Sequence, residues 1–366
     1  MSIGALLEGR SICICAGAGG VGKTTTSAAI ALGAAARGRK VAVLTIDPAR
    51  RLASALGLPE LGNEERRVHV PGLEGELWAM MLDPKRTFDD LVESYAPDER
   101  TRDAVLSNRI YQELSAAVAG STEYMAMEKL YELHAEGRYD LLVLDTPPTR
   151  NALDFLEAPE RLSGFIDSRS LKLLLAPGRR GLKVLSRGTG LLFSVLERVT
   201  GVDLLADLSA FFNSFGSMAE GFRERAVRVR ELLGAPETVF VLVSSPQRSA
   251  VDEAIFFRRR LAEAGMPFGG VIVNRMHEEG LAKGKLGDAG AELLGERLGR
   301  KVERTFEDYR RLAERDRDNV ARLASELDGE PIVRVPYFDE DVYDLAGLRR
   351  MDEYLFRRAR RSRRRR

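Results

Sequence analysis

With 366 residues, 44% of them apolar, the chain can bury a sizeable core, which excludes disorder of the whole chain. Its 56 Lys and Arg residues nearly balance its 55 Asp and Glu residues, so the overall charge does not point to nucleic acid. The exception is the C-terminus, where eight of the last ten residues are Arg; removing those eight charges from the net +1 leaves −7. We predict a basic, disordered tail over residues 357–366, although such a tail can also bind anionic lipid, RNA or DNA.

Short apolar runs alternate with longer helical patterns along the chain. Continuous runs rich in Val, Ile and Leu suit strands that are buried on both faces, and their alternation with helices predicts a doubly wound, mostly parallel α/β sheet. The predicted strands are Ser11 to Ala16, Val41 to Asp47, Leu77 to Leu82, Tyr139 to Asp145, Thr238 to Ser244, Gly270 to Asn274 and Ile332 to Val335.

Two stretches with few strand signals interrupt this alternation, at residues 84–137 and 158–234. We predict that both are helical insertions that form a subdomain of a single domain over residues 1–366. The second insertion carries an apolar stripe at steps of mostly three and four, as on one face of a helix. This stripe either packs against the protein's own core or forms a surface for a hydrophobic client; its members are Leu204, Leu208, Phe211, Phe212, Phe215, Met218 and Phe222.

The most specific motif follows the first predicted strand. Residues 17–24 read GAGGVGKT, which matches GxxxxGK[ST] between a strand and a helix, the context that a P-loop requires. Its glycines allow backbone N–H groups to converge on phosphate oxygens at the positive end of a helix dipole. In such a loop Lys23 bridges the β- and γ-phosphates and the Thr24 hydroxyl binds Mg²⁺. The predicted phosphate site comprises Gly17, Ala18, Gly19, Gly20, Val21, Gly22, Lys23, Thr24 and Thr25.

Two carboxylates end predicted strands of the same sheet. Asp145 closes the run YDLLVLD, at the usual position of the acid that holds Mg²⁺ through water, and Asp47 closes VAVLTID. Open α/β sheets bind ligands at the carboxyl ends of their strands, so both acids are expected near the phosphates. Either Asp taken alone is as well explained by a helix cap or a turn.

The cysteines and the N-terminus bear on the compartment. Only Cys13 and Cys15 occur, which excludes a disulfide framework and a four-cysteine metal site within one chain and indicates a reducing compartment. The N-terminus lacks the cationic start and apolar core of a signal peptide, and no window approaches 18 uninterrupted apolar residues. We predict a cytoplasmic, soluble protein.

Taken together, these segments resemble the deviant-Walker P-loop ATPases of the arsenite-pump and tail-anchored-protein-targeting group. The resemblance extends over almost the whole chain, and within the group it is strongest to single-domain bacterial members. It is carried by the P-loop, by the segments TIDPA at 45–49 and DTPPT at 145–149, by VIVNR at 271–275 and by VPYF at 335–338.

The resemblance implies a role for each matching position. Asp47 would activate the attacking water, with Lys23 as the second catalytic group, and Asp145 would position Mg²⁺. Asn274, beside Arg275, would read the adenine edge, and Pro336 with Tyr337 would wall the base. The implied activity is ATP hydrolysis by a dimer, formed with a second copy or with a paralogous ATPase, that binds a hydrophobic client such as a membrane-protein segment. The predicted client surface comprises Leu208, Phe211, Phe212 and Phe215.

The sequence also departs from that family at three places. Ala18 stands where a signature Lys usually reaches the neighbouring subunit's phosphates, and Gln247 stands where a Glu usually contacts nucleotide across the dimer. The paired cysteines that bind arsenite or a bridging zinc have no counterpart, so we expect neither ligand.

Two other functions fit the same motifs. A ParA/MinD-type positioning ATPase would use this chemistry to bind DNA or membrane, with support from the Arg tail. A weakly active, nucleotide-binding regulatory subunit is supported by Ala18. The three histidines, His69, His134 and His277, are isolated and lack metal-ligand spacing, so we predict no metal site there.

Overall fold

The computed structural model describes residues 2–47, 51–109, 111–112, 121–147, 211, 214, 218–277 and 288–357. The chain divides into two compact units. The first comprises Met1–Met81, Leu133–Leu153 and Gly234–Arg366, and we call it the sheet unit. The second comprises Leu82–Glu132 and Asp154–Leu233, and we call it the helical unit; it overlaps most of the two predicted insertions.

An eight-stranded sheet forms the centre of the sheet unit, with the strand order β3-β4-β2-β5-β1-β6-β7-β8. Among the strands in the described ranges, only the β3–β4 pair is antiparallel, and all the other neighbours are parallel. The doubly wound, mostly parallel α/β fold predicted from the sequence is therefore confirmed. The strands are β1 (Ile12–Gly17), β2 (Lys40–Thr45), β3 (Arg66–Val68), β4 (Glu76–Met81), β5 (Leu141–Asp145), β6 (Thr238–Ser244), β7 (Phe268–Met276) and β8 (Ile332–Pro336).

The observed strands differ from the predicted ones at two informative places. The second strand ends at Thr45, so Asp47 lies beyond it rather than at its last position. The short strand β3 was not predicted, because two of its three residues are exposed arginines and it has no apolar run.

Helices cover the sheet and build most of the described part of the helical unit. They are α1 (Ile3–Leu6), α2 (Lys23–Ala35), α3 (Arg51–Ala55), α4 (Pro84–Tyr95), α5 (Glu99–Leu106), α6 (Ser121–Glu136), α7 (Ala219–Gly234), α8 (Arg248–Glu263), α9 (Asp288–Ser325) and α10 (Leu345–Phe356). Helix α9 is interrupted at Gly295, whose φ of 68° and ψ of 158° are not helical.

Both faces of the sheet are buried, which explains why its strands are continuous apolar runs. On β1 the side chains of Cys13 and Cys15 enter the core that contains α1, α2 and α10, while Ile12 and Ile14 on the opposite face are equally buried. The Ala-rich sequence of α2 lets this helix pack closely on the strands that flank the phosphate loop. The core therefore fixes the start of α2 relative to the ends of β1 and β5.

Aromatic residues form the centre of the helical unit. Phe222 is fully buried and its ring lies 5.9 Å from that of Phe88 and 5.4 Å from that of Tyr95. Phe211 is 7% exposed and its ring lies 6.4 Å from that of Tyr111. Of the predicted client surface only Phe211 is described, and it packs inward; Leu208, Phe212 and Phe215 lie outside the described residues.

A buried ion pair also crosses the helical unit. Glu128 on α6 is 1% exposed and accepts hydrogen bonds from the Arg225 guanidinium of α7 and from the Tyr124 hydroxyl. Burial raises the pKa of Glu128, and the nearby Arg225 opposes that rise. None of the helices in the described part of the chain is long and apolar enough to cross a membrane.

Candidate nucleotide-binding site

The predicted phosphate loop lies between the end of β1 and the start of α2. A Cβ atom on Gly17 would lie 1.9 Å from the carbonyl oxygen of Val243 on the neighbouring strand, so only glycine fits there. Gly22 precedes α2 in a left-handed conformation with φ of 90°, and a Cβ atom there would lie 2.5 Å from Nδ2 of Asn274. Close packing and backbone conformation thus both require glycine in this loop.

Lys23 is the first residue of α2 and is only 8% exposed. Its Nζ donates hydrogen bonds to the carbonyl oxygens of Gly17, at 2.9 Å, and of Ala18, at 2.8 Å. Burial lowers the pKa of Lys23, while the Asp145 carboxylate raises it. The ammonium group is therefore held against the loop backbone, where a bound phosphate chain would lie.

Thr24 and Thr45 both donate their hydroxyl hydrogens to one oxygen of Asp145. The distances from Thr24 Oγ1 and Thr45 Oγ1 to Asp145 Oδ2 are 2.6 Å and 2.9 Å. This convergence follows from the sheet register, in which Thr45 on β2 and Cys15 on β1 are both paired with Asp145 on β5. Three adjacent strands therefore bring a hydroxyl and a carboxylate to the start of α2.

The other oxygen of Asp145 has no hydrogen-bond partner among the described residues. Asp145 is 1% exposed, and burial raises its pKa to about 6. A buried carboxylate oxygen without a partner is costly unless a cation or a bound water satisfies it. Hydroxyl and carboxylate oxygens are hard ligands that suit Mg²⁺, so this donor set fits the predicted magnesium site.

Asp47 follows β2 by two residues and its side chain is 32% exposed. Its carboxylate lies 3.9 Å from the guanidinium of Arg51, and its backbone N–H donates to Thr45 Oγ1 at 3.2 Å. The next residues of the predicted switch segment, Pro48 and Ala49, lie outside the described residues. Asp47 is thus a partly solvated carboxylate in the same loop region as the Asp145 cluster.

A cleft of about 360 Å³ opens beside the phosphate loop. The predicted base-binding residues Asn274, Arg275, Pro336 and Tyr337 all line it, and so does Thr25. The remaining lining residues come from the end of the phosphate loop, α3, the segment after β8 and α10; they are Gly22, Arg51, Ser54, Ala55, Phe338, Glu340, Asp341, Val342, Tyr343 and Met351.

Asn274 joins the cleft to the phosphate loop. Its Nδ2 donates to the carbonyl of Val21 at 2.9 Å, and its Oδ1 accepts from the backbone N–H of Arg275 at 2.9 Å. Arg275 has a φ of 60°, unusual for a residue with a side chain, and its guanidinium donates to the carbonyl of Gly20 at 3.2 Å. Both residues therefore bind the loop backbone from the cleft side.

The residues that depart from the family pattern take different environments. Ala18 is 7% exposed and belongs to the core cluster on the α2 side of the sheet. Gln247 is exposed at the N-cap of α8 and makes no side-chain capping hydrogen bond. The backbone carbonyl of Ala18 accepts a hydrogen bond from Lys23 Nζ, but its methyl side chain adds no charge to the loop. Among the described residues, Gln247 forms no hydrogen bond with Lys23.

Two features of the site were not assigned from the sequence. The sequence predicts no role for Thr45, because its bond to Asp145 depends on the register between β2 and β5. His277 was considered only as an isolated histidine, yet its ring stacks on that of Tyr337. The partners of His277 are Asp316, Tyr309 and Tyr337, which lie 32 to 60 residues away in the chain, so no local pattern marks them.

A family model described as the anion-transporting ATPase matches residues 10–356. The chain belongs to this family, as the motifs of the phosphate loop and its neighbours indicated. The interpretation as an ATPase agrees with that membership.

Individual relatives carry two kinds of name. The chain is 24% identical to the "Putative arsenical pump-driving ATPase 1" of Aquifex aeolicus, over 94% of this chain and 78% of the relative. It is 29% identical to the "Putative arsenical pump-driving ATPase" of Halobacterium salinarum, over 68% of this chain but only 37% of the relative. It is 32% identical to the "ATPase GET3" of Podospora anserina, over 40% of this chain and 42% of the relative.

Proposed function

We propose that this protein binds Mg-ATP at the phosphate loop and hydrolyses its terminal phosphoanhydride bond. The observation that supports this most directly is the convergence of Lys23, Thr24 and Asp145 at the start of α2, with the Thr24 hydroxyl 2.6 Å from the Asp145 carboxylate. A cationic group, a metal-binding hydroxyl and a metal-orienting carboxylate are the groups that phosphoryl transfer to water requires.

Each group then has a definite task. Lys23 would neutralise charge on the β- and γ-phosphates, and the Thr24 hydroxyl and the Asp145 carboxylate would hold Mg²⁺. Bound Mg²⁺ would add charge neutralisation of the phosphate oxygens. Asp47 orients the attacking water and accepts its proton, a role that suits a partly solvated carboxylate.

The cleft beside the loop is the proposed base-binding site. Pro336 and Tyr337 offer apolar and aromatic surface, and Asn274 and Arg275 supply polar groups at the side of the phosphates. A concave site that combines apolar and aromatic surface with placed polar groups is typical of cofactor binding. Adenine is the expected base, because the sequence has no NKxD motif of the kind that GTPases use.

At the level of assembly, we propose that the protein acts in the cytoplasm as a dimer whose nucleotide state controls binding of a hydrophobic client. The relatives named ATPase GET3 support this assignment, and the helical unit is the proposed client-binding part. Ala18 favours a heterodimer in which a paralogous ATPase supplies the missing cation, and it equally suits a weakly active regulatory subunit. These two cases differ in whether turnover rises when the paralogue is added.

The test is the effect of Mg-ATP on thermal stability. A ligand present at about 100 times its Kd stabilises the folded state by about 2.7 kcal/mol, so Mg-ATP should raise the Tm of the wild type. Lys23→Ala should remove that rise, because backbone N–H groups cannot replace its charge. Lys301→Ala, at an exposed position on α9, is the matched control and should keep it. A wild-type Tm that does not respond to Mg-ATP would overturn the proposal.

A further inference from the structure

Tyr337 presents an exposed ring to the proposed base-binding cleft. It is 56% exposed, although most large apolar side chains of the described chain are buried. One face of the ring is covered by His277, whose ring is nearly parallel at 5°, with centroids 5.6 Å apart. Tyr337 lines the cleft and His277 does not, so His277 lies on the side of the Tyr337 ring that faces away from the cleft.

His277 is itself held from behind by α9. Its backbone N–H donates to Asp316 Oδ2 at 3.1 Å, and its ring Nδ1 lies 2.6 Å from the same oxygen. Asp316 is 1% exposed, and Tyr309 on the same helix contacts the imidazole edge-on at 5.3 Å. The His277 ring therefore has a fixed orientation.

The backbones of the two stacked residues are also joined. The N–H of Tyr337 donates to the carbonyl of Met276 at 2.8 Å, beside His277 at the end of β7. Ring and main chain of Tyr337 are thus both restrained. A restrained aromatic ring loses little conformational freedom on binding a flat ligand, and so binds it more tightly than a mobile ring would.

We propose that His277 is a positioning residue for the nucleobase: it holds the Tyr337 ring so that the ring can stack on the base of the bound nucleotide. The proposal rests on the assignment of the cleft to the base under the proposed function. Under this proposal Asp316 and Tyr309 of α9 also support base binding, through His277. Neither of them is among the residues that line the cleft.

The first variant is His277→Asn. The Asn amide N–H can take the place of Nδ1 toward Asp316, so the buried carboxylate keeps a donor while the stacking ring is removed. Aromatic pairs contribute enough to predict a roughly three- to tenfold weaker affinity for Mg-ATP. The affinity for Mg-tripolyphosphate, which has no base, should not change. Isothermal titration calorimetry of the full chain measures both.

A double-mutant cycle separates positioning from general damage. Tyr337→Leu should weaken Mg-ATP binding, and adding His277→Asn to it should have no further effect, because His277 acts only through the tyrosine ring. Loss of Mg-ATP and Mg-tripolyphosphate affinity by the same factor would overturn the proposal. An unchanged Mg-ATP affinity in His277→Asn, or a loss that persists without Tyr337, would overturn it as well.

If His277→Asn does not fold, His277→Phe and His277→Leu provide a second comparison. Both variants lose the side-chain bond to Asp316 and keep the backbone one, but only His277→Phe retains an aromatic ring. The His277→Phe variant should therefore bind Mg-ATP more tightly than His277→Leu, by roughly threefold or more. Equal affinities in this pair would contradict the positioning role. A wild type that fails to bind Mg-ATP at all would instead show that the proposed function, and not only this inference, is wrong.

Discussion

Thr24 and Asp145 are 121 residues apart in the chain, yet the hydroxyl of the first donates to the carboxylate of the second across 2.6 Å. This hydrogen bond joins the first turn of α2 to the end of β5. The remaining Asp145 oxygen is buried without a partner in the described chain, and this burial costs stability when no cation is bound. Thr24 and Asp145 thus form the proposed metal site at some cost to the ligand-free protein.

Asp145→Asn should therefore separate stability from function. Burial raises the pKa of Asp145 to about 6, so its ionised form destabilises the ligand-free protein at pH 8. Removing the charge should stabilise that protein by up to about 3 kcal/mol, the free energy that corresponds to the full rise in pKa. The same change should abolish the rise in Tm with Mg-ATP, because a neutral amide lacks the negative charge with which a carboxylate attracts Mg²⁺. Denaturation with and without Mg-ATP measures both effects; a variant that still responds to Mg-ATP would exclude Asp145 from the metal site.

Asp47→Asn should leave Mg-ATP affinity near the wild-type value and slow hydrolysis. The amide retains the shape of the carboxylate but lacks its charge and basicity, and general-base roles are worth roughly 10²- to 10⁴-fold. Calorimetry and steady-state phosphate release measure the two quantities, with the exposed Asp318→Asn on α9 as the control. If affinity and rate fall together, Asp47 has a binding or folding role instead.

Arg225→Met should destabilise the helical unit in a pH-dependent manner. It leaves Glu128 as an unpaired buried carboxylate, which typically costs about 3 to 5 kcal/mol. The pKa of Glu128 is already raised by burial and should rise further without Arg225. An acid with a raised pKa in the folded state binds a proton on folding, so stability falls as pH rises through that window.

The destabilisation should therefore be larger at pH 8 than at pH 5, as measured by chemical denaturation. Arg223→Met is the matched control, because its partner Glu220 has a side chain that is 67% exposed. A surface pair contributes only about 0 to 1 kcal/mol, so this control should change little at either pH. Equal losses at both pH values for Arg225→Met would show that lost packing over Tyr131, rather than charge, dominates.

Mutations can show which residues of the apolar stripe pack in the core of the helical unit and which bind a client. Phe211→Ser should lower stability by about 3 to 5 kcal/mol, since Phe211 is buried against Tyr111. If Phe212 and Phe215 bind a client, replacing both by Ser should reduce capture of a hydrophobic peptide and leave the Tm nearly unchanged. A large fall in Tm for that double variant would assign the whole stripe to the core.

Ala18 should make the protein alone a slow ATPase. A cation supplied from a neighbouring subunit contributes roughly 10³- to 10⁵-fold to phosphoryl transfer in comparable systems. We expect turnover per site to rise on mixing with a paralogue that carries Lys or Arg at this position, and Ala18→Lys to restore part of it. Turnover against protein concentration tests this, and fast, concentration-independent turnover by the wild type would contradict it.

Much of the fold followed from the sequence because parallel strands buried on both faces leave continuous apolar runs, as in TVFVLVS of β6. The phosphate loop was equally visible, since its glycines, Lys23 and Thr24 are adjacent in the chain. The Thr45 bond to Asp145 and the stack of His277 on Tyr337 were not predicted, because each depends on which distant segments become neighbours. Strand β3 was missed because it is short and charged.

That short strand also bears on how the sheet meets other chains. An edge strand exposes unpaired N–H and C=O groups, which can template the addition of a further strand and so lead to aggregation. Here the edge beyond β4 is occupied by only three residues, of which Arg66 and Arg67 are exposed. A brief, positively charged edge is a poor template, and replacing both arginines with Val should make the protein more prone to self-association without affecting the nucleotide site.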